Sequence, residues 1–157
     1  MTQTARSAAS SAVPKLDAQL CFALYTASHR MTRAYRPMLD ALGLTYVQYL
    51  VMLILWEGAP QSVGTLGEAL YLDSGTLTPL LKRMEKNGLV SRRRDVDDER
   101  RVMIELTEHG DRLRTRARDV SDDVMCRIDT SPQQAETLRR EIMALVQRID
   151  AYDAANG

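Results

Sequence analysis

The sequence predicts a mainly α-helical protein with one small β-hairpin, folded as a single domain. Three observations support this prediction. The chain has 157 residues, which is the length of one ordinary domain. Apolar residues recur in steps of three or four along most of it, which is the helical period. Only the stretch between residues 89 and 106 changes to a strand-like pattern, with a polar turn in its middle.

Composition excludes several classes of protein. The 21 Lys and Arg residues balance 21 Asp and Glu residues, so a nucleic-acid surface has to come from local clustering of charge. No apolar run reaches the roughly 20 residues that span a bilayer. Residues 1–15 are predicted to be a flexible arm, without the apolar segment of a secretory signal. Two cysteines and two distant histidines make no metal site. We therefore expect a cytoplasmic protein without metal, cofactor or membrane partner.

The first two predicted helices are defined by an apolar stripe and a capping box. The stripe runs from Leu16 to Leu42 and contains Pro37, where we expect a kink or a short break. Thr45–Gln48 has the capping-box pattern that opens a second helix. This helix is predicted to end near Gly58, shortly before a proline.

Two shorter helices follow and lead into the hairpin. Ser62 caps the third helix, and Asp73 or Ser74 caps a fourth helix that ends at Gly88. On a helical wheel, the fourth helix has one apolar side and one polar side. Its apolar side consists of Leu77, Leu80, Leu81 and Met84.

The last part of the chain combines the hairpin with more helix. Leu89–Arg93 and Arg101–Leu106 have strand character, and the acidic segment between them forms the turn. Thr107 begins a helix whose stripe continues to Ile128. Ser131 opens a last helix, with proline at its first position.

Three helices followed by a hairpin make a winged helix-turn-helix, which we place at about residues 45–107 of a single domain covering residues 16–157. The helices at about residues 16–43 and 107–154 have no other partner in a chain of this size. We expect them to form a homodimer. A two-fold dimer of winged helices suits double-stranded DNA with a pseudo-palindromic operator.

Local charge indicates where DNA would be read. Residues 82–94 carry six positive charges against one negative charge, a basic patch in a chain without net charge. A charge run can be merely a solvated face, but here it coincides with small polar residues at a helix start, which can approach phosphates and base edges. The predicted DNA-binding residues are Asp73, Ser74, Gly75, Thr76, Thr78, Lys82, Arg83, Lys86, Arg92, Arg94, Arg100 and Arg101.

Two local features have two interpretations each. Either Asp98 holds Arg100 in an extended bidentate fork that enters a minor groove, or the acidic hairpin tip is only a solvated turn. The spacing favours neither. Pro79 breaks the helix rule inside the fourth helix, which marks either a functional site or a helix that begins slightly later.

Four stretches of the chain resemble a known family. Asp98–Gly110 resembles the wing signature of the MarR family, Asp-x-Arg followed by Leu-Thr-x-x-Gly. Leu70–Glu85 is similar to the recognition segment of one branch, the organic hydroperoxide resistance regulators. Leu20–Tyr25 and Leu44–Tyr49 are similar to the same branch, so the resemblance covers about residues 16–150.

The resemblance implies a dimeric winged-helix repressor that binds its operator when reduced, near the gene of a thiol peroxidase that removes organic hydroperoxides. Oxidation of a cysteine in the first helix by an organic hydroperoxide then releases the DNA. Cys21 matches this sensing cysteine, and Tyr35 and Tyr46 match two tyrosines that hydrogen-bond to it. Cys126 matches the second cysteine of the two-cysteine subgroup, which resolves the oxidised form as an intersubunit disulfide.

The residues alone leave these roles more open. A cysteine on a helix is usually a small buried hydrophobe, and we expect Cys21 at the edge of the apolar face, in the second turn of its helix. Tyr35 lies 14 residues further along, roughly 21 Å on a straight helix. It can therefore contact Cys21 only from an antiparallel helix of a partner subunit; otherwise Tyr35 and Tyr46 are packing residues. Cys126 falls off the apolar stripe, which predicts an exposed thiol.

Two other functions remain open from the sequence. One is a MarR-type repressor that a small aromatic ligand releases from DNA. The other is a thiol peroxidase that turns over hydroperoxide through Cys21. The sequence has no Gly-rich phosphate loop and no Ser/His/Asp pattern, and catalysis has no use for a basic reading surface. We therefore expect a regulator and not an enzyme.

Overall fold

The computed structural model describes Val13 and residues 15–157. Residues 1–12 and 14 of the predicted arm at residues 1–15 lie outside the described residues. A 3₁₀ turn, Leu16–Ala18, precedes the first helix. The helices are α1 Leu20–Leu42, α2 Tyr46–Gly58, α3 Val63–Leu70, α4 Ser74–Lys86, α5 Glu108–Ala117, α6 Val120–Arg127 and α7 Pro132–Asn156, and the strands are β1 Gln61–Ser62, β2 Val90–Arg94 and β3 Val102–Leu106. The predicted mainly α-helical fold with a small wing is confirmed.

The chain divides between Arg33 and Ala34 into two compact units. In the first unit, the described large apolar side chains Leu16, Leu20, Phe22 and Tyr25 are exposed. The second unit contains a buried core to which the C-terminal part of α1, α2, α3, α4, the sheet, α5 and α6 contribute. The largest fully buried side chains are Leu39, Val51, Met52, Leu55, Leu66, Leu77, Leu81, Met84, Val90, Ile104 and Val124.

Helix α1 differs from its prediction at two points. It begins at Leu20, because the stripe that starts at Leu16 first forms the separate 3₁₀ turn. The helix also continues through Pro37, so the predicted short break is wrong. Pro37 is exposed, and solvent can therefore bond the carbonyl that the missing proline N–H leaves free.

Helix α2 begins at the predicted capping box. The Gln48 amide donates to Thr45 Oγ1 at 3.4 Å, and the Thr45 amide donates to Gln48 Oε1 at 2.8 Å. These two bonds satisfy amides that have no partner within the helix. The predicted start is confirmed, as is the end at Gly58.

The sheet has three antiparallel strands in the order β1-β3-β2. The predicted hairpin is confirmed, with Val90 opposite Leu106 and Arg94 opposite Val102. Strand β1 could not be predicted from the sequence, because two residues are too short to show a period. Ser62 is both the end of β1 and the cap of α3, since its Oγ accepts from the Thr65 amide at 3.0 Å.

The helix predicted from Thr107 to Ile128 is two helices, α5 and α6. The backbone between them stays right-handed, with φ −55° and ψ −44° at Arg118 and φ −96° and ψ −1° at Asp119. The apolar stripe therefore faces the core on both sides of the break. Ala117, before the break, and Val120, after it, are both buried. Sequence period alone could not detect so small a deviation.

Helix α7 begins as predicted, with Ser131 as its cap and proline at its first position. The structure describes all of α7, and none of its side chains is buried. Its exposed apolar side chains include Leu138, Ile142, Met143, Ile149 and Tyr152. Among the described residues, no single helix has the length and apolarity to cross a bilayer, whereas α1 and α2 taken together as a bent pair do.

Candidate functional site

Helix α4 has a defined start, which fixes the orientation of its first turn. The Asp73 carboxylate accepts from the Thr76 amide and from the Thr76 hydroxyl, both at 2.9 Å. The hydrogen bond from the Thr76 amide is the main reason that the pKa of Asp73 is lowered. Asp73 is thus the cap, which decides between the two predicted caps.

The polar side of α4 forms one exposed surface, which we call the reading face. The four apolar residues predicted to point inward are all buried, so the opposite side is free to contact a partner. Thr78 is half-buried, and the other members of the reading face are exposed. The reading face consists of Ser74, Gly75, Thr76, Thr78, Lys82, Arg83 and Lys86.

Pro79 lies at the sixth position of α4, so the interpretation of a later helix start is wrong. Because proline has no N–H, the carbonyl of Gly75, four residues earlier, lacks its helical donor. Gly75 is exposed. The proline therefore removes one helical hydrogen bond close to the start of α4.

Arg92 links the wing to α4, a role that the sequence analysis missed. Its Nε donates to Glu85 Oε2 at 2.8 Å, and its amide donates to Glu85 Oε1 at 3.1 Å. The side-chain bond is the main cause of the lowered pKa of Glu85. The one negative charge of the basic patch is thereby paired, and β2 is fixed against the C-terminal part of α4. The predicted contact of Arg92 with DNA stays a prediction.

The tip of the wing contains the predicted bidentate pair. Arg100 Nε donates to Asp98 Oδ1 at 3.0 Å, and Nη2 donates to Oδ2 at 3.4 Å. The Arg100 amide also donates to Asp98 Oδ1, at 3.1 Å. These bonds lower the pKa of Asp98, chiefly through the guanidinium. The Arg100 side chain is 91% exposed, so the carboxylate orients a guanidinium that is available to a ligand.

A cleft of about 340 Å³ lies between the wing and α4. Thr78 of the reading face lines it together with Arg92, Arg100 and Arg101. Arg101 Nη1 lies 3.8 Å from Asp95 Oδ2, and Arg94 Nη1 donates to the Glu99 carbonyl at 3.3 Å. The structure therefore brings residues predicted from two separate stretches of sequence to one surface.

The base of the wing explains the Leu-Thr-x-x-Gly motif. The Thr107 hydroxyl donates to the Gly88 carbonyl and accepts from the Gly110 amide at 3.0 Å. A Cβ at Gly110 would lie 2.0 Å from the Leu89 carbonyl oxygen, so only glycine fits there. Trp56 Nε1 donates to the Gly110 carbonyl at 3.0 Å. The motif thus fixes the wing and α5 to the core.

The two cysteines lie in different units, and both are free and exposed. Cys21 is the second residue of α1, so its predicted place in the second turn is wrong. It is exposed and not the buried hydrophobe that a helical cysteine usually is. Amides in the first turn of a helix have no helical acceptor and favour negative charge nearby. Cys126 is exposed as predicted, near the end of α6. It lines a cleft of about 620 Å³ together with Arg139.

Tyr35 and Tyr46 lie together in the second unit, with ring centroids 5.1 Å apart. Tyr49 is a third member of this cluster, 6.2 Å from Tyr35, and the sequence analysis missed it. Its position three residues after Tyr46 on one helix was the available signal. Burial, followed by the proximity of Tyr35, raises the pKa of both Tyr46 and Tyr49. Their hydroxyls therefore stay protonated at neutral pH and can donate hydrogen bonds.

The tyrosine cluster lines a cleft of about 660 Å³, together with Trp56, Arg114 and Arg118. The cleft combines aromatic walls with two cationic side chains and one carboxylate, that of Glu57. Among the described residues, no group of three His, Cys, Asp or Glu side chains is placed to hold a metal ion.

Comparison with known proteins agrees with this geometry. The family Transcriptional regulator SarA/Rot matches residues 33–116. The organic hydroperoxide resistance transcriptional regulator of Bacillus subtilis (strain 168) is 46% identical over 142 residues, which are 90% of this chain and 95% of that protein. AbfR of Staphylococcus epidermidis is a similar solved structure. Its reduced form bound to DNA has a TM-score of 0.72 and 34% identity to this chain, over 85% of this chain and 94% of that chain. Disulfide-formed AbfR has a TM-score of 0.61 and 33% identity over 88% and 92%.

The fold and the reading face define a winged-helix transcriptional regulator. The chain belongs to the MarR-type family, in the branch of the organic hydroperoxide resistance regulators. The relatives named above are regulators and not enzymes.

Proposed function

We propose that this chain is a cytoplasmic, homodimeric repressor that binds a pseudo-palindromic DNA operator when reduced and releases it when an organic hydroperoxide oxidises Cys21. The observation that carries the proposal is that the reading face and the Asp98-oriented guanidinium of Arg100 share one surface. The name of the Bacillus relative supports the effector, and the DNA-bound and disulfide forms of AbfR support DNA binding and a thiol switch.

DNA binding follows from the geometry of the second unit. Helix α4 enters the major groove, and its first turn brings Ser74–Thr76 to the base edges. Lys82, Arg83 and Lys86 further along the reading face contact phosphates. Arg100 enters the adjacent minor groove, where the negative potential favours a guanidinium.

Dimerisation buries the apolar side chains that a single chain leaves exposed. These lie along α7 and in the first unit. So many exposed large apolar side chains are unusual for a monomer. A two-fold interface uses the same surface on both copies and matches the symmetry of the operator.

Sensing requires that one hydroperoxide oxidises the thiol of each subunit once, without repeated turnover. The Cys21 thiolate attacks the outer oxygen of the hydroperoxide, the O–O bond breaks, and the organic part leaves as an alcohol while Cys21 becomes a sulfenic acid. The thiol of Cys126 from the partner subunit then condenses with the sulfenic acid, forming a disulfide and releasing water. Tyr35 and Tyr46 of the partner subunit donate hydrogen bonds that stabilise the negative charge on Cys21 before and during attack.

Arg100→Ala should weaken operator binding by roughly 1–3 kcal/mol, because it removes a specific contact in the groove. The operator is first selected from a random duplex library by the reduced protein, and affinity is measured at fixed salt by fluorescence anisotropy. Asp98→Ala should cause a smaller loss, because Arg100 remains but is no longer oriented.

Arg139→Ala is the matched control for Arg100→Ala. Arg139 makes a similar bidentate pair with Glu136, at 2.8 Å for both bonds, but on α7. It should leave operator affinity unchanged. Equal affinity of Arg100→Ala and the parent would mean that the tip of the wing is only a solvated turn.

Tyr35→Phe and Tyr46→Phe should each slow the oxidation of Cys21 by about tenfold, because each removes one hydrogen bond to a charged sulfur. Both changes keep the ring, so operator affinity of the reduced protein should stay close to that of the parent. The rate of thiol loss after addition of an organic hydroperoxide measures the effect. Parent-like rates in both variants would show that the tyrosines serve only to pack the protein.

The cleft lined by the tyrosine cluster favours a second candidate function. Aromatic walls and the cationic Arg114 and Arg118, which outnumber the one carboxylate of Glu57, suit a small aromatic anion, which would release the DNA without thiol chemistry. Alkylation of the cysteines separates the two functions: it should abolish the response to hydroperoxide and leave the response to such a ligand intact. Repeated turnover of hydroperoxide with a thiol reductant would instead indicate a thiol peroxidase.

A further inference from the structure

Tyr71 has a backbone conformation that is unfavourable for its residue type. It ends α3 with φ 54° and ψ 39°, in the left-handed region where glycine is preferred. Among the described residues, Asp129 is the other non-glycine residue with positive φ. Aspartate tolerates this region because its short side chain can bond locally, whereas a bulky tyrosine costs free energy there.

The turn itself accounts for the conformation of Tyr71. The Leu72 amide donates to the Gly67 carbonyl at 2.9 Å, and the Tyr71 amide donates to the Glu68 carbonyl at 3.3 Å. Together these bonds form a Schellman motif, which requires a left-handed residue at position 71. A Cβ at Gly67 would lie 2.8 Å from the Leu72 carbonyl oxygen, so the turn is tight. Glycine at position 71 would form the same turn without the strain.

Packing does not compensate for the strain. The Tyr71 side chain is 72% exposed, whereas its neighbours Leu70 and Leu72 are half-buried. The ring therefore contributes little to the core. A residue that costs stability and gains no burial in the folded chain points to an interaction with a partner.

The position of Tyr71 identifies that partner. It lies in the turn between α3 and α4, two residues before the cap Asp73 and three before the reading face. The reading face has cationic side chains only from Lys82 onwards, so its first turn carries small neutral groups. An exposed phenol beside that turn adds a neutral hydrogen-bond donor at this end of the surface.

We propose that the Tyr71 hydroxyl donates a hydrogen bond to a phosphate of the DNA backbone beside the first turn of α4. The proposal rests on the DNA-binding function proposed above. A phosphate contact fixes the position of the helix on the duplex but does not read its sequence. Because the phenol is uncharged, the contact releases no counterion and contributes nothing to the salt dependence of binding.

The test compares three variants with the parent on two probes, the selected operator and a duplex of shuffled sequence. Tyr71→Phe should raise the Kd of both probes by about three- to tenfold, because one neutral hydrogen bond is lost. The slope of log Kd against log salt should not change. Lys82→Gln should instead reduce that slope by about one, as loss of a charged phosphate contact does.

Tyr71→Gly separates function from folding. It relieves the strain, so its Tm should equal or exceed that of the parent, while its Kd should rise at least as much as that of Tyr71→Phe. Parent-like binding by Tyr71→Phe overturns the proposal. A rise in the Kd of Tyr71→Phe for the operator alone, and not for the shuffled duplex, also overturns it. A Tm of Tyr71→Gly below that of the parent does the same. If the reduced parent selects no operator at low salt, the proposed function fails, and this inference fails with it.

Discussion

Treatment of the reduced protein with an organic hydroperoxide should join two copies of the chain through a disulfide between Cys21 of one and Cys126 of the other. Both thiols are free and exposed, so reagents and partner thiols can reach them. A sulfenic acid condenses readily with a nearby thiol, and this condensation prevents further oxidation. The product should migrate as a covalent dimer on a non-reducing denaturing gel, and reduction should return it to monomer.

Cys126→Ser is the decisive variant for this disulfide. It should produce no covalent dimer, and its Cys21 should pass more readily to sulfinic or sulfonic acid, which mass spectrometry detects. Since two Cα atoms must come within about 7 Å to form a disulfide, its formation also restricts how the α1 and α6 helices of the two copies can approach. A peroxide-treated parent that stays monomeric on the gel, with Cys126 still free, would contradict the two-cysteine mechanism.

Gly110→Ala should destabilise the protein severely, by roughly 3 kcal/mol or more. The added Cβ would lie 2.0 Å from the Leu89 carbonyl oxygen and 3.0 Å from the Leu89 carbonyl carbon, and these are backbone atoms that no side-chain rotation can move aside. Relief of the clash would separate α5 from the strand and would disturb the bond from Trp56 to the Gly110 carbonyl. Denaturant unfolding of the reduced protein measures the change.

Gly64→Ala is the control for this substitution. A Cβ at Gly64 would make only an ordinary contact, 3.7 Å from Ser62 Oγ, within helix α3. Alanine should be neutral or should stabilise the helix by about 0.5–1 kcal/mol. Equal stabilities of Gly110→Ala and Gly64→Ala would show that the wing is not packed against α5 as described.

Elements marked by local signals could be predicted from the sequence. The capping boxes at Thr45 and Ser131 and the wheel of α4 specify their helices through residues three or four positions apart. By contrast, β1 exists because Gln61 and Ser62 pair with β3, some 40 residues away in the sequence. The gap between α5 and α6 is a small change of backbone angle, which leaves no trace in an apolar period. Before α1, Gln19 is extended, with φ −84° and ψ 118°, but a break of one residue does not interrupt the spacing of the apolar residues.

The candidate site shows the same division. The pair of Asp98 and Arg100 was one of two interpretations open from the sequence, because two residues two positions apart in one turn can form a pair but need not do so. The pair of Glu85 and Arg92 could not be predicted, since it depends on the packing of β2 against α4. The exposure of Cys21 likewise depends on where the first helix begins, which the apolar stripe placed one turn too early.

The central claim is that oxidation of Cys21 controls DNA binding. The most direct measurement is the affinity of the parent and of Cys21→Ser for the selected operator, before and after one equivalent of tert-butyl hydroperoxide per subunit. Both reduced proteins should bind the operator with similar affinity. After treatment, the parent should release the DNA and rebind it on reduction, whereas Cys21→Ser should remain bound. Release of the operator by peroxide-treated Cys21→Ser, or retention by the oxidised parent, would contradict the account.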